Sequence, residues 1–224
     1  MTRRFLFCCA NFNHLKPETD WNDVPILRAR ALRVQTHRAV ILKCSPRGET
    51  TFTPVAGGLR YANELVDLIH KDFPEFGIAV AGYPEPHKEA ASPEADAANL
   101  KRKVDAGACV VITQLFYDND DFLRFRDRCT QLGISVPLVP GILPVTNLAP
   151  IQRITALCGA RLPSEMVDDL GRHDDADWQF QTGIDFAVRQ VQGLIAAGVP
   201  GVHFYVLNQS RATSAVLSAI RPGR

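Results

Sequence analysis

The chain has 224 residues, of which 46% are hydrophobic, and its 25 basic and 24 acidic residues give a formal net charge of +1. This length and apolar content suffice to bury the core of one domain. The charges are interspersed, so neither a basic surface for nucleic acid nor an acidic disordered tail is expected. No apolar run approaches the roughly 20 residues that a membrane helix needs, so no membrane partner is expected either.

The six cysteines form no CxxC pair and show no metal-ligand spacing. Cys109 falls in a predicted strand and Cys129 in a predicted helix, which indicates free thiols in a reducing environment and no metal site. The first ten residues superficially resemble a secretion signal, but Asn11 and Asn13 interrupt the apolar run and no small-residue cleavage site follows. A cytoplasmic location is therefore expected.

Residues 1–38 show no clean hydrophobic periodicity and are predicted to be an irregular or divergent leader. Beyond them, apolar runs predict five buried strands, at residues 39–42, 78–82, 109–113, 136–139 and 202–206. Helical spacing predicts helices over residues 62–69, 93–106, 120–132 and 178–197, with short helices over 146–176 and at the C-terminus. This alternation predicts βαβ units, a parallel sheet and a single domain over residues 39–224.

Polar residues follow two of the predicted strands. The strand at 78–82 runs into the loop Tyr83-Pro84-Glu85-Pro86-His87, and the strand at 109–113 ends on Gln114. Polar groups at the carboxyl ends of consecutive parallel strands are where α/β barrels carry their chemistry. Taken alone, Tyr83 and His87 are equally compatible with loop packing, and Gln114 with a strand-end cap.

The helix predicted after Ser92 has two distinct faces. Ala97, Leu100 and Val104 form one narrow apolar stripe that must face the sheet. Polar residues lie beside this stripe, so they would line the helix shoulder near the strand ends: Asp96, Asn99, Arg102 and Lys103. A solvated face with helix salt bridges is the alternative interpretation of the same residues.

Five motifs carry a resemblance to a known family. They are AGYPEPHKEA, LKRKVDAGA, ITQLFYDND with FLRFRDRC, VPGILPVTN and HFYVLN. In order and spacing they resemble the methylenetetrahydrofolate reductases, flavin-dependent enzymes of one-carbon metabolism. The resemblance runs from about Ala39 to the C-terminus. It implies a (β/α)8 barrel that is N-terminally incomplete here, with about five recognisable strands, because the family barrel has three further strands before Ala39.

The resemblance also implies an activity and a site. In this family NADH or NADPH passes hydride to FAD, and the reduced flavin reduces 5,10-methylenetetrahydrofolate to 5-methyltetrahydrofolate for methionine synthesis. Gln114 matches the glutamine that binds folate and nicotinamide in alternation. The implied FAD contacts are Ala62, Tyr83, His87, Ala90, Asp96, Asn99, Arg102 and Lys103.

Three departures from the family pattern stand out. Where the family has Arg-Gly-Asp-Pro, this chain has Lys43-Cys44-Ser45-Pro46, so Lys43 and Ser45 take the cofactor-binding positions without the flavin-tuning aspartate. Gln209 takes the folate-contacting position where many relatives have arginine. The family's catalytic glutamate on the first strand has no counterpart, so no catalytic residue is assigned.

These departures leave two alternatives to an active reductase. One is a catalytically impaired, truncated homologue that is at most an FAD-binding remnant. The other is a different flavin- or phosphate-binding barrel. The expected partners are small molecules, a folate and a nicotinamide, and self-association into a homo-oligomer is left open.

Overall fold

A computed structural model describes residues 5–9, 38–40, 58–207 and 209–220. Its six strands form one sheet in the order β1-β6-β5-β4-β3-β2, and every neighbouring pair is parallel. The strands are β1 (Phe5–Cys9), β2 (Arg38–Val40), β3 (Gly77–Gly82), β4 (Val110–Leu115), β5 (Leu138–Ile142) and β6 (Gly201–Tyr205). All carboxyl ends therefore lie at one edge of the sheet, which we call the carboxyl edge.

The described part of the chain also contains seven helices. They are α1 (Ala62–Asp72), α2 (Pro93–Asp105), α3 (Asn119–Gln131), α4 (Leu148–Cys158), α5 (Ser164–Gly171), α6 (Ala176–Ala196) and α7 (Ser210–Ile220). Local sequence explains their starts, since the Ser92 side chain accepts a hydrogen bond from the Ala95 N–H and Pro93 follows at the first helical position. None of these helices is long and apolar enough to cross a membrane.

The main core lies between the sheet and the helices. Val80 and Val111 of the sheet pack there with Leu100 of α2 and Phe125 of α3, all nearly inaccessible to solvent. The other face of the sheet carries a separate small cluster that includes Ala79, Val110 and Val139. Successive strand residues therefore alternate between a helix-covered face and an inner face, as in α/β barrels.

The five strands predicted from the sequence are confirmed in β2 to β6, although residues 41–42 of the first lie outside the described residues. The prediction of an irregular leader is wrong for residues 5–9, which form β1 beside β6, with Phe5 opposite Gly201. The run FLFCC has the continuous apolar pattern of a buried parallel strand, but its partner β6 lies at the other end of the chain. That pairing stabilises the strand, and it cannot be predicted from residues that are close in the sequence.

Candidate functional site

The loop between β3 and α2, residues 83–90, lies at the carboxyl edge and carries three of the predicted ligand contacts, Tyr83, His87 and Ala90. The register pairs Gly82 of β3 with Thr113 of β4. Tyr83 and Gln114 each come one residue later, so they lie at the same edge on neighbouring strands. The prediction that these two residues share one rim of the sheet is confirmed.

Within this loop the Tyr83 and His87 rings meet edge to face, with centroids 4.8 Å apart. The backbone N–H of His87 lies near the Asp96 carboxyl of α2 and acts to lower its pKa, and the His87 carbonyl accepts from the Ala90 N–H at 2.8 Å. The loop is thus folded back onto the first turn of α2. Four of the predicted contacts, Tyr83, His87, Ala90 and Asp96, are brought together.

Lys103 completes this group from the next turns of α2. Its Nζ donates to the Ala81 carbonyl of β3 at 2.5 Å and lies 6.0 Å from the centroid of the Tyr83 ring. Burial lowers the pKa of Lys103, and the nearby Asp96 carboxylate opposes that shift. The ammonium is therefore a desolvated cation held at the end of a strand, where a bound anion would interact with it strongly.

The acidic groups around Lys103 respond to the same burial. Burial raises the pKa of the Asp96 carboxyl, against the opposing effects of the His87 N–H and the Lys103 ammonium. Burial also raises the pKa of the Tyr83 hydroxyl, with Asp96 adding to the effect. Shifted pKa values in a cluster of this kind are typical of ligand sites, although ion-pair networks produce them too.

The remaining residues of the α2 shoulder are more exposed. The Arg102 guanidinium donates to the Asn99 side-chain oxygen at 2.6 Å, and both residues face solvent. Their cationic and amide groups are therefore available along the same helix as Lys103. Ala62 opens α1, which packs against α2, and no described contact ties it to the Tyr83 loop.

A second cluster of polar side chains lies along the carboxyl edge, on β4 to β6. The Tyr205 hydroxyl donates to the Thr113 carbonyl at 2.8 Å, and the Thr113 hydroxyl accepts from the Gly141 N–H at 2.9 Å. Gln114, half-buried beside them, accepts a hydrogen bond from the Leu115 N–H with its own side chain. Gln209 is exposed and follows β6 at the same edge.

Lys43 and Ser45 lie outside the described residues. Thr113 and Tyr205 could not be singled out from the sequence, since hydroxyl groups on apolar strands are common. Their only sequence signal is position, because both stand near the carboxyl end of a predicted strand.

His203 of β6 is buried and its Nδ1 has no hydrogen-bond partner. Burial lowers the pKa of His203 from 6.5 to about 4. Below the pKa that His203 has in the unfolded chain, the unfolded chain binds a proton at His203 and the folded chain does not. The free energy of unfolding therefore falls as the pH falls. We expect this histidine to lower the free energy of unfolding by roughly 1.4 kcal/mol per pH unit between about pH 6.5 and pH 4, and to have no effect above that range.

Urea unfolding of the wild type and of His203→Gln across this pH range measures the effect. The wild type should lose more stability than the variant on acidification, because glutamine does not titrate. His70→Gln, at an exposed position of α1, is the matched control and should follow the wild type. Equal pH dependence in wild type and His203→Gln would show that His203 does not remain neutral in the folded chain.

An all-parallel α/β sheet with polar and titratable side chains gathered at its carboxyl edge is the arrangement in which α/β barrels carry their ligand sites. A family model described as "Methylenetetrahydrofolate reductase" matches residues 38–221. The chain belongs to the methylenetetrahydrofolate reductase family, and the (β/α)8-type fold class predicted from the sequence is confirmed.

Relatives with the same family name agree with this assignment. The chain is 44% identical over 166 residues to the 5,10-methylenetetrahydrofolate reductase of Escherichia coli (strain K12), a match that covers 73% of this chain and 56% of the relative. It is 40% identical over 183 residues to a probable methylenetetrahydrofolate reductase (NADH) of Oryza sativa subsp. japonica, with 77% of this chain and 31% of the relative covered. The chain thus matches 56% of the length of the first relative and 31% of the length of the second.

Proposed function

We propose that the chain binds FAD at the carboxyl edge and uses it to reduce 5,10-methylenetetrahydrofolate to 5-methyltetrahydrofolate, with NADH or NADPH as the hydride source. The observation that carries this proposal is the desolvated Lys103 ammonium at the end of β3, beside Asp96 and Tyr83. These residues lie inside the segment that the family model matches. The match favours this function over a truncated remnant or an unrelated flavin barrel.

The side chains at this edge fit the chemical parts of FAD. Lys103 and Arg102 offer cations on consecutive residues of α2 to a diphosphate, for which charge-assisted hydrogen bonds are the strong ones. The Asp96 carboxylate can accept hydrogen bonds from ribose hydroxyls. The Tyr83 ring offers an aromatic surface to the flavin, and His87 holds that ring edge to face.

FAD, when bound, supplies the hydride chemistry between nicotinamide and folate. The chain itself contributes position and electrostatics. Gln114, with an amide that both donates and accepts, would orient the two substrates in turn, and Gln209 would contact the folate from the end of β6. Lys43 and Ser45, which follow β2 in the sequence and lie outside the described residues, would complete the cofactor site.

The test uses the purified chain with added FAD. A visible flavin spectrum that persists after removal of free FAD is expected. NADH and NADPH are then supplied separately, first with menadione as acceptor and then with 5,10-methylenetetrahydrofolate. Turnover with menadione shows hydride transfer to bound flavin, and turnover with the folate shows the complete reaction.

Two results would contradict the proposal in different places. If the chain retains no flavin, the proposed cofactor site is wrong. A chain that turns over with menadione and not with the folate would keep the flavin site and remove the folate reduction, as expected if general acid catalysis, typically worth about 10²–10⁴-fold, is missing.

A further inference from the structure

The loop over residues 83–90 is also attached to α3 and α4. The Arg128 guanidinium of α3 donates to the Pro84 carbonyl at 3.1 Å. The Lys88 ammonium donates to the Ala156 carbonyl near the end of α4. These two contacts hold the loop at its beginning and near its end.

Between them, the Glu85 carboxylate makes a third attachment. Both of its oxygens accept the backbone N–H of Arg161, at 2.9 and 3.1 Å, in the connection between α4 and α5. The two residues are 76 positions apart in the chain, so this contact closes a long loop. A carboxylate that accepts a backbone N–H forms a charge-assisted hydrogen bond, which is stronger than a neutral one.

The Arg161 side chain joins the same contact to α3. Its guanidinium lies 3.1 Å from the Asp121 carboxylate and 3.5 Å from that of Asp118. Asp121 is mostly buried, and its two carboxylate oxygens pair with Arg124 of the same helix at 2.5 Å and with Arg161. One residue therefore connects the loop through its backbone and α3 through its side chain.

We propose that Glu85 is a positioning residue that clamps the Tyr83–His87 loop to the α4–α5 connection and so holds Tyr83 and His87 in the geometry that the flavin needs. This inference rests on the proposed function for its effect on flavin, while the clamp itself is independent of any ligand. The Glu85 carboxylate contacts Arg161, whereas the Tyr83 ring contacts His87, so the effect of Glu85 on flavin binding would be indirect.

The experiment compares Glu85→Ala and Glu85→Gln with the wild type, and uses Glu89→Ala as the matched control. Glu89 is an exposed carboxylate of the same loop, so its removal changes the charge equally. Hydrogen exchange of the loop amides without flavin reports the clamp, FAD titration reports the site, and urea unfolding without flavin reports global stability.

Glu85→Ala should exchange the loop amides faster, and should bind FAD about tenfold or more weakly, since a hydrogen bond to a charged group is lost. Glu85→Gln retains an oxygen for the Arg161 N–H and should stay within about threefold of the wild type. Both alanine variants should unfold with similar midpoints. A loss of affinity that follows global stability alone would make Glu85 merely structural and overturn the proposal.

The remaining outcomes separate the two proposals. Unchanged loop exchange in Glu85→Ala would overturn the clamp. Faster exchange with unchanged FAD affinity would overturn the positioning role. A wild type that binds no FAD would overturn the proposed function, and with it the role in flavin binding, while the exchange data would still decide whether the clamp exists.

Discussion

Replacing Gly183 by alanine should destabilise the chain by at least about 3 kcal/mol, or prevent it from folding, although alanine is the better helix former. Gly183 lies in the buried face of α6. A Cβ atom there would overlap the Val145 carbonyl oxygen and come within 2.8 Å of the Val145 carbonyl carbon. Because the obstacle is backbone and not the end of a flexible side chain, it cannot move aside.

Two other helical glycines provide matched controls for the same substitution. At Gly171, the last residue of α5, the nearest atom to a new Cβ is Leu148 Cδ2 at 3.9 Å, an ordinary contact. Gly171→Ala should therefore be neutral or stabilising. At Gly193 of α6 the new Cβ would meet the Asn119 side-chain amide at 2.7 Å, which can rotate away at the cost of its hydrogen bond to the Gln190 carbonyl.

Urea unfolding of the three variants measures the order. We expect Gly171→Ala to equal or exceed the wild type in stability, Gly193→Ala to lie below it, and Gly183→Ala to be far lower or insoluble. A Gly183→Ala chain as stable as Gly171→Ala would show that α6 does not approach the segment after β5 as closely as the structure has it.

The features that could be predicted from the sequence depend on residues close together in the chain, and those that could not depend on distant residues. The Ser92 cap, the Pro93 start and the stripe of Ala97 and Leu100 were predicted because each depends on residues within a few positions. The parallel sheet was predicted because buried runs alternate with amphipathic helices. The strand β1 was missed, since its only partner in the described part of the chain is the last strand.

The candidate site divides in the same way. Residues that follow a predicted strand, such as Tyr83 and Gln114, could be placed at one edge from the pattern alone. The contact of Glu85 with Arg161 could not, because it joins a loop to a connection far along the chain through a backbone N–H that has no sequence signature. The family resemblance placed Lys103 at the cofactor, while its contact with the Ala81 carbonyl came only from the structure.

The residues of α2 also show how packing gives two lysines of one helix different environments. Lys101 and Lys103 are two residues apart, yet Lys101 forms an ion pair with Asp105 on the outer face. Lys103 lies on the shoulder against β3, where burial lowers its pKa. The same residue type thus makes a solvated surface pair in one case and a desolvated cation in the other, because the helix turns them to different sides.

Replacing Lys103 by alanine should weaken FAD binding by about 10- to 100-fold, because a charge-assisted contact worth roughly 1.5–3 kcal/mol is lost from the proposed site. Lys101→Ala removes the same charge from the same helix and should bind FAD as the wild type does. Flavin titration of the three proteins measures the difference. Urea unfolding without flavin shows how much of the Lys103 effect is stability, since the substitution also leaves Asp96 without its cation.

Binding of riboflavin, which has the isoalloxazine ring and no phosphate, tests which part of FAD Lys103 contacts. If Lys103 binds the diphosphate, Lys103→Ala should weaken the binding of FAD and leave the weaker binding of riboflavin unchanged. Added salt should also reduce the FAD affinity of the wild type more than the FAD affinity of the variant. Equal losses for FAD and riboflavin would place the ammonium beside the ring, near Tyr83, instead. Equal FAD affinity in Lys103→Ala and Lys101→Ala would show that the cofactor site lies elsewhere on the sheet.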